Sequence, residues 1–310
     1  MSKFRSVNRR KFLTQSATLA ASASLPAAAL AQESMRTRVI PGTDEQLPVV
    51  GMGAPDIFVD YQEVGKELPM SIIQTMMDMG GKLMDTPAFF RPNVPAVGGL
   101  LTEMGVQKDL FLIGKSTVNG KEAATVHLEK LVANLNKQPI DLLLLHNMRE
   151  LDIQWPILKE WKNTGRVRYI GVSLTRKTDY DPLEKFMRDE NPDFIMPGYS
   201  ITQQGPAERI LPLAADIGIA VIAVEPFKAF DDGAFFSVVA DKELPEWTAD
   251  FDCESWAQFS LKYILSNPAI TSVVMETSKV SHLIDNMRAG YGGLPDEATR
   301  KRMSAHLLSL

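Results

Sequence analysis

Three successive apolar runs in this chain each end on a different ionisable residue, and that pattern limits the fold more than any other feature. Lys82-Leu83-Met84-Asp85 ends on a carboxylate, Leu110-Phe111-Leu112-Ile113-Gly114-Lys115 on an ammonium, and Asp141-Leu142-Leu143-Leu144-Leu145-His146 on an imidazole. Each run reads as a short buried strand. Strands buried on both faces belong to parallel sheets, and in a parallel barrel all the C-terminal ends open on one face. Asp85, Lys115 and His146 would therefore converge there.

The rest of the chain keeps the same rhythm. A polar-turn-apolar passage from Arg38 to Ala54 reads as a hairpin and then a first barrel strand at Leu47–Met52. Seven more strands are expected at Gly81–Thr86, Leu110–Ser116, Ile140–Asn147, Val167–Ser173, Phe194–Tyr199, Ala220–Glu225 and Thr271–Met275. Amphipathic stretches alternate with them, among them Met70–Met79, Lys121–Asn136, Ile153–Thr164 and Lys279–Ala289. Asn191-Pro192 and Asn267-Pro268 stop the helices before them, because proline disfavours helix at the preceding residue. Eight strand–helix units in one chain of 310 residues imply an α/β fold, a (β/α)8 TIM barrel, as a single domain over residues 32–310. A further helix, Glu297–Leu308, would pack outside it. Lys228–Asp252 has no clean period and is expected to hang over the active face as a loop. Its Phe235, Phe236 and Trp247 would either line a pocket or staple the loop to the barrel.

Residues 1–31 stand apart from this pattern. Asn8-Arg9-Arg10-Lys11-Phe12-Leu13 sets paired arginines before an alanine- and leucine-rich run that ends on Ala29-Leu30-Ala31. The segment resembles a twin-arginine signal peptide. It implies cleavage after Ala31, the twin-arginine translocation machinery as a partner, and a periplasmic or otherwise exported mature protein. The run is too short and too rich in alanine to span a bilayer well, so no stable membrane insertion is expected after cleavage. A net charge of -5 leaves no electrostatic footprint for nucleic acid. The single cysteine, Cys253, excludes an internal disulfide and a cysteine metal cluster and is expected to be a buried structural thiol. Four scattered histidines suggest no metal site, and no glycine-rich phosphate loop is present. A small-molecule ligand is the expected partner.

Several of these motifs, in this order, resemble the aldo-keto reductase family along nearly the whole of residues 32–310. They are Gly80-Gly81-Lys82-Leu83-Met84-Asp85-Thr86, Ile113-Gly114-Lys115-Ser116 and Asp141-Leu142-Leu143-Leu144-Leu145-His146. Gly165-Arg166-Val167-Arg168-Tyr169-Ile170-Gly171-Val172-Ser173 and Trp256-Ala257-Gln258-Phe259-Ser260-Leu261-Lys262-Tyr263-Ile264-Leu265 complete the set. The resemblance implies a site in which a tyrosine gives a proton to a carbonyl oxygen while NADP or NAD supplies hydride. An Asp–Lys pair tunes that tyrosine and a histidine orients the carbonyl. Asp85, Lys115 and His146 match three of the four. Phe90 stands at the tyrosine position, and a phenyl ring is not a proton donor.

The departures extend to the implied cofactor site. Ser173 is kept, whereas Leu174, Met196 and Val224 replace polar or aromatic contacts to the nicotinamide. Glu225 falls where the family keeps a small residue near the pyrophosphate. Glu276 and His282 lie where a lysine and an arginine often hold the 2′-phosphate, while Thr277 and Asn286 match the pattern. A carboxylate beside a phosphate costs on the order of 1 kcal/mol or more at about 4 Å. These changes together imply an oxidoreductase whose usual activity is impaired and whose nucleotide binding is weak or absent. Two other classes stay open. One is a non-redox lyase or isomerase using Lys115 or His146. The other is a non-catalytic binding or partner protein.

Overall fold

Eight apolar runs that bury both faces supply what a parallel barrel asks of its strands, and the chain closes one. The computed structural model describes residues 34–53, 57–58, 65–86, 97–175, 180–229 and 233–310. The expected signal segment, residues 1–31, and Phe90 both lie outside the described residues. An antiparallel hairpin of β1 (Thr37–Val39) and β2 (Gln46–Pro48) comes first. Seven parallel strands follow: β3 (Val50–Met52), β4 (Leu83–Asp85), β5 (Phe111–Ser116), β6 (Ile140–Leu145), β7 (Val167–Leu174), β8 (Phe194–Pro197) and β9 (Ala220–Ala223). After a two-stranded ribbon, β10 (Lys228–Ala229) with β11 (Gly233–Ala234), strand β12 (Ser272–Met275) pairs with both β9 and β3. Val273 opposite Val50 and Met275 opposite Met52 complete the closed barrel.

Period-two alternation then divides each strand between two apolar clusters. Leu83, Phe111, Ile113, Leu142, Leu144, Phe194, Met196, Ile222, Val224 and Val274 fill the lumen. Leu143, Leu145, Ile170, Val172, Leu174 and Val273 face the helical layer outside. The four leucines of β6 thus serve two cores, which is why no alternation shows in the sequence there. Gly171 of β7 admits the close approach of β8, since a Cβ there would sit 2.0 Å from the Phe194 carbonyl oxygen.

The helix ends follow local chemistry. Ser255 accepts from the Gln258 N–H at 3.1 Å and starts Trp256–Leu265; Asp296 accepts from the Thr299 N–H at 2.7 Å and starts Glu297–Leu308. Asn191 takes the left-handed conformation (φ 42°) that ends Asp181–Glu190, and Pro192 blocks its continuation. Helix Glu297–Leu308 packs outside the barrel through Met303 and Leu307, as expected.

The stretch expected as an unstructured loop has structure of its own. It carries the β10–β11 ribbon, a short helix at Phe235–Val239 and a 3-10 turn at Glu246–Phe251. Phe235 is fully buried in the outer core, and Trp247 packs on Phe251, Phe259 and His306. Both rings staple the segment down. Phe236 differs, being 47% exposed with its ring 4.9 Å from that of Phe227. Short-range aromatic contacts, which have no period, hold this segment in place of a helical stripe.

Ionic contacts plug the N-terminal mouth. Asp141, 2% exposed at the start of β6, accepts from the Leu112 N–H at 2.8 Å, Lys137 Nζ at 2.5 Å and Arg168 Nη1 at 2.8 Å. Arg168 also pairs with Glu45 of the hairpin, and Tyr169 Oη donates to the same carboxylate at 2.9 Å. Ile40 and Leu47 of the hairpin segment join the lumen cluster from below. Asp141 therefore belongs to stability, at the end of the barrel opposite the one where strand C-termini open.

Candidate active site

The same alternation places the ionisable residues. Leu83 points into the lumen, so Asp85 does also; Phe111 and Ile113 lead to Lys115, Leu142 and Leu144 lead to His146, and Tyr169 leads to Ser173. All four form the uppermost layer of the lumen at the C-terminal mouth. The sequence expectation that Asp85, Lys115 and His146 share one face agrees with this register.

Asp85 and Lys115 are directly joined. Lys115 Nζ donates to Asp85 Oδ2 at 2.5 Å, across adjacent strands in which Asp85 pairs with Ile113. Thr86 ties the end of β4 to β5 by donating from its N–H and hydroxyl to the Ile113 carbonyl at 3.0 and 2.6 Å. Asp85 is 4% exposed, and its second oxygen, Oδ1, is buried without a hydrogen-bond partner among the described residues. Burial pushes the Asp85 carboxyl up, and the charge and hydrogen bond of Lys115 offset this only in part. A carboxyl raised in the fold contributes stability that is present below the usual carboxyl range and lost as pH rises through the raised value. Ionised Asp85 is thus a cost to folding that its bond to Lys115 offsets in part.

His146 begins a turn of unusual backbone. Asn147, Met148 and Glu150 all have positive φ, at 52°, 52° and 46°. Asparagine tolerates that conformation better than most residues, and here its side chain holds the turn. Asn147 Oδ1 accepts from the Thr175 N–H at 2.9 Å and the Thr175 hydroxyl at 3.1 Å. Its Nδ2 lies 2.9 Å from His146 Nε2, and its own N–H donates to Ser173 Oγ at 3.3 Å. Ser173 Oγ in turn lies 3.0 Å from His146 Nδ1.

The residues tied to the cofactor by resemblance are spread over three environments. Ser173 is in the lumen network, as described. Met196 and Val224 belong to the lumen's apolar filling, Met196 standing directly opposite Ser173 in the pairing of β7 with β8, while Leu174 faces the outer core. Thr277 bonds only locally, accepting from the Lys279 N–H at 3.2 Å and donating to its carbonyl at 3.4 Å. Asn286 is buried on helix Val280–Arg288. Two carboxylates stand at the rim. Glu225, itself at φ 58°, receives Lys228 Nζ at 3.2 Å on each oxygen. A Cβ at Gly198 would sit 2.8 Å from Glu225 Oε2, and one at Gly53 would sit 2.5 Å from Glu276 Cγ. Glycine at those two positions leaves the carboxylate side chains room over the mouth.

The described residues contain no group of three or more His, Cys, Asp or Glu able to hold a metal ion, and none of their helices is long and apolar enough to cross a membrane. Cys253 is buried and its thiol is pushed up to about 12 by desolvation, which leaves it an inert packing group.

Barrel, register and the Asp–Lys–His layer agree with the match of residues 49–302 to the Aldo/keto reductase family. The chain belongs to the aldo/keto reductase family. Membership places it with oxidoreductases. An uncharacterized oxidoreductase of Bacillus subtilis, YqkF, is 24% identical over 307 residues, covering 88% of this chain and 96% of the relative. An aldo-keto reductase from Bacillus halodurans, solved in holo form, has the same fold at TM-score 0.67 and 19% identity, over 88% of this chain and 96% of its own. An aldo/keto reductase from Klebsiella pneumoniae, solved with NADP and acetate, superposes at TM-score 0.68 with 18% identity, over 86% and 94% of the two chains.

Within this aldo/keto reductase, sequence reading missed Asn147 and Thr175. Asn147 was absorbed into the end of a strand, because a polar residue after an apolar run reads as a strand terminus. The signal available was the unusual pair His146-Asn147 itself, since asparagine directly after a strand is a common holder of left-handed turns.

Proposed function

We propose that this aldo/keto reductase is exported by the twin-arginine route and that ordinary nicotinamide-dependent carbonyl reduction is impaired in it. The observation that carries the reading is the composition of the lumen's top layer. It brings together an ammonium, a carboxylate and an imidazole, while the residue at the donor position of the family pattern is Phe90. Proton delivery to a carbonyl oxygen needs an acid within hydrogen-bond reach, and phenylalanine offers none.

The fit to NADP or NAD is poor on the same grounds. Glu225 and Glu276 put carboxylates at places that the family pattern gives to the pyrophosphate and the 2′-phosphate. The pairing of Glu225 with Lys228 offsets its charge but also engages that lysine. Met196 offers aliphatic surface where the nicotinamide amide would need a hydrogen bond, and Val224 stands where the family pattern has a tyrosine stacked on the ring. Weak or absent nucleotide binding follows, and no hydride step is assigned to these residues.

Two experiments test the proposal. The mature protein, assayed on reactive aldehydes with NADPH and then NADH, should turn over far below ordinary family rates, and ordinary rates with either would refute the impairment. Replacing Arg9 and Arg10 by lysine should leave the precursor in the cytoplasm, because the paired arginines are what the transporter reads. Unchanged export in cell fractionation, or a mature N-terminus far from Gln32, would remove that part of the reading.

A further inference from the structure

The hydrogen bonds around His146 determine which ring nitrogen carries the proton. The starting point is a backbone group, whose role admits no choice: the Thr175 N–H is a donor, so the Asn147 side-chain atom 2.9 Å away is its carbonyl oxygen. The other end of that amide is then the NH2 group, a donor only. It lies 2.9 Å from His146 Nε2, which must accept. A neutral imidazole with an accepting Nε2 carries its hydrogen on Nδ1, and Nδ1 lies 3.0 Å from Ser173 Oγ, which accepts it. The Asn147 N–H points at the same Ser173 oxygen at 3.3 Å.

We propose that Asn147 is a positioning residue that holds His146 as the neutral Nδ1–H tautomer. In this state Nε2 has no hydrogen to give to a ligand oxygen. An imidazolium would set two N–H donors against each other across the contact to Asn147, so the charged form is opposed as well. Three bonds fix the orientation of Asn147, which sits at φ 52°: two from Thr175 to Oδ1, and one from its own N–H to Ser173. They leave its Nδ2 against the ring at His146 Nε2.

The isosteric change Asn147→Asp is the direct test. Aspartate keeps the acceptor for Thr175 and tolerates positive φ, but turns the atom facing Nε2 from a donor into an acceptor. Nitrogen-15 NMR of the mature protein, labelled at its histidines, reads protonated and bare ring nitrogens separately, and a His146→Gln spectrum assigns the signals. The wild type should show a bare Nε2 and a protonated Nδ1 at neutral pH. Asn147→Asp should place a proton on Nε2. Asn147→Gly accepts the same backbone angle without the amide and should gain Nε2–H signal, because free histidine in water favours that tautomer. It supplies the readout should the aspartate variant fail to fold. A wild-type ring protonated on Nε2, or variants whose ring signals match the wild type, would overturn the proposal.

Discussion

Aldehyde reduction with NADPH should stay near background in Phe90→Tyr alone and rise about 100- to 10,000-fold once Met196→Gln and Glu276→Lys are added, the range that general acid catalysis contributes. The single variant returns a tyrosine to the donor position of the family pattern, while Asp85 and Lys115 already form an ion pair. It restores nothing that holds the nucleotide. Glu276→Lys reverses a charge on an exposed side chain at the rim. Met196→Gln carries a cost, because Met196 is 1% exposed within the lumen cluster and an amide buried there loses about 1–3 kcal/mol without partners. The triple variant should therefore melt earlier than the wild type while reducing aldehydes faster. Ordinary family rates from Phe90→Tyr alone would show the pocket intact and end the account of coordinated loss.

The second large effect falls on stability. Asp141→Ala should lower the free energy of unfolding by about 3–5 kcal/mol, the usual cost of removing one partner from a buried charge cluster. Three donors lose a bond at once: the Leu112 N–H, Lys137, which keeps the Leu110 carbonyl, and Arg168, which keeps Glu45. Lys137 and the amide are well covered, whereas Arg168 is partly exposed and contributes least. The midpoint of urea unfolding measures the loss, and the histidine ring signals of the native protein should not move, since Asp141 lies at the opposite mouth. A change below about 1 kcal/mol, the scale of an exposed ion pair, would show the cluster to be ornamental.

Asp141 and Asp85 also show how far the sequence was legible. Both sit beside apolar runs in motifs of the same family resemblance, and local pattern ranks them alike. Position along the strand separates them: Asp141 opens β6 and Asp85 closes β4. The strands themselves were readable because parallel barrel strands are continuous apolar runs. The convergence of Asp85, Lys115 and His146 was readable because strand C-termini share a face. Other features were not. The stapling of Phe235 and Trp247 depends on side chains distant in sequence, such as Phe259 and His306. The placement of Leu174 in the outer core, beside the lumen-facing Ser173, needs the strand's register, which a motif does not supply. The grip of Asn147 on His146 is set by Ser173 and Thr175, which a different strand brings to the turn.

The central claim is that the site keeps the charged framework of an aldo/keto reductase while its nucleotide contacts have gone. Calorimetric titration of the mature protein with NADPH tests it most directly. The account predicts very weak or undetectable binding, clearly below that of typical family members, with Glu276→Lys strengthening it. A micromolar or tighter dissociation constant for the wild-type protein would contradict it.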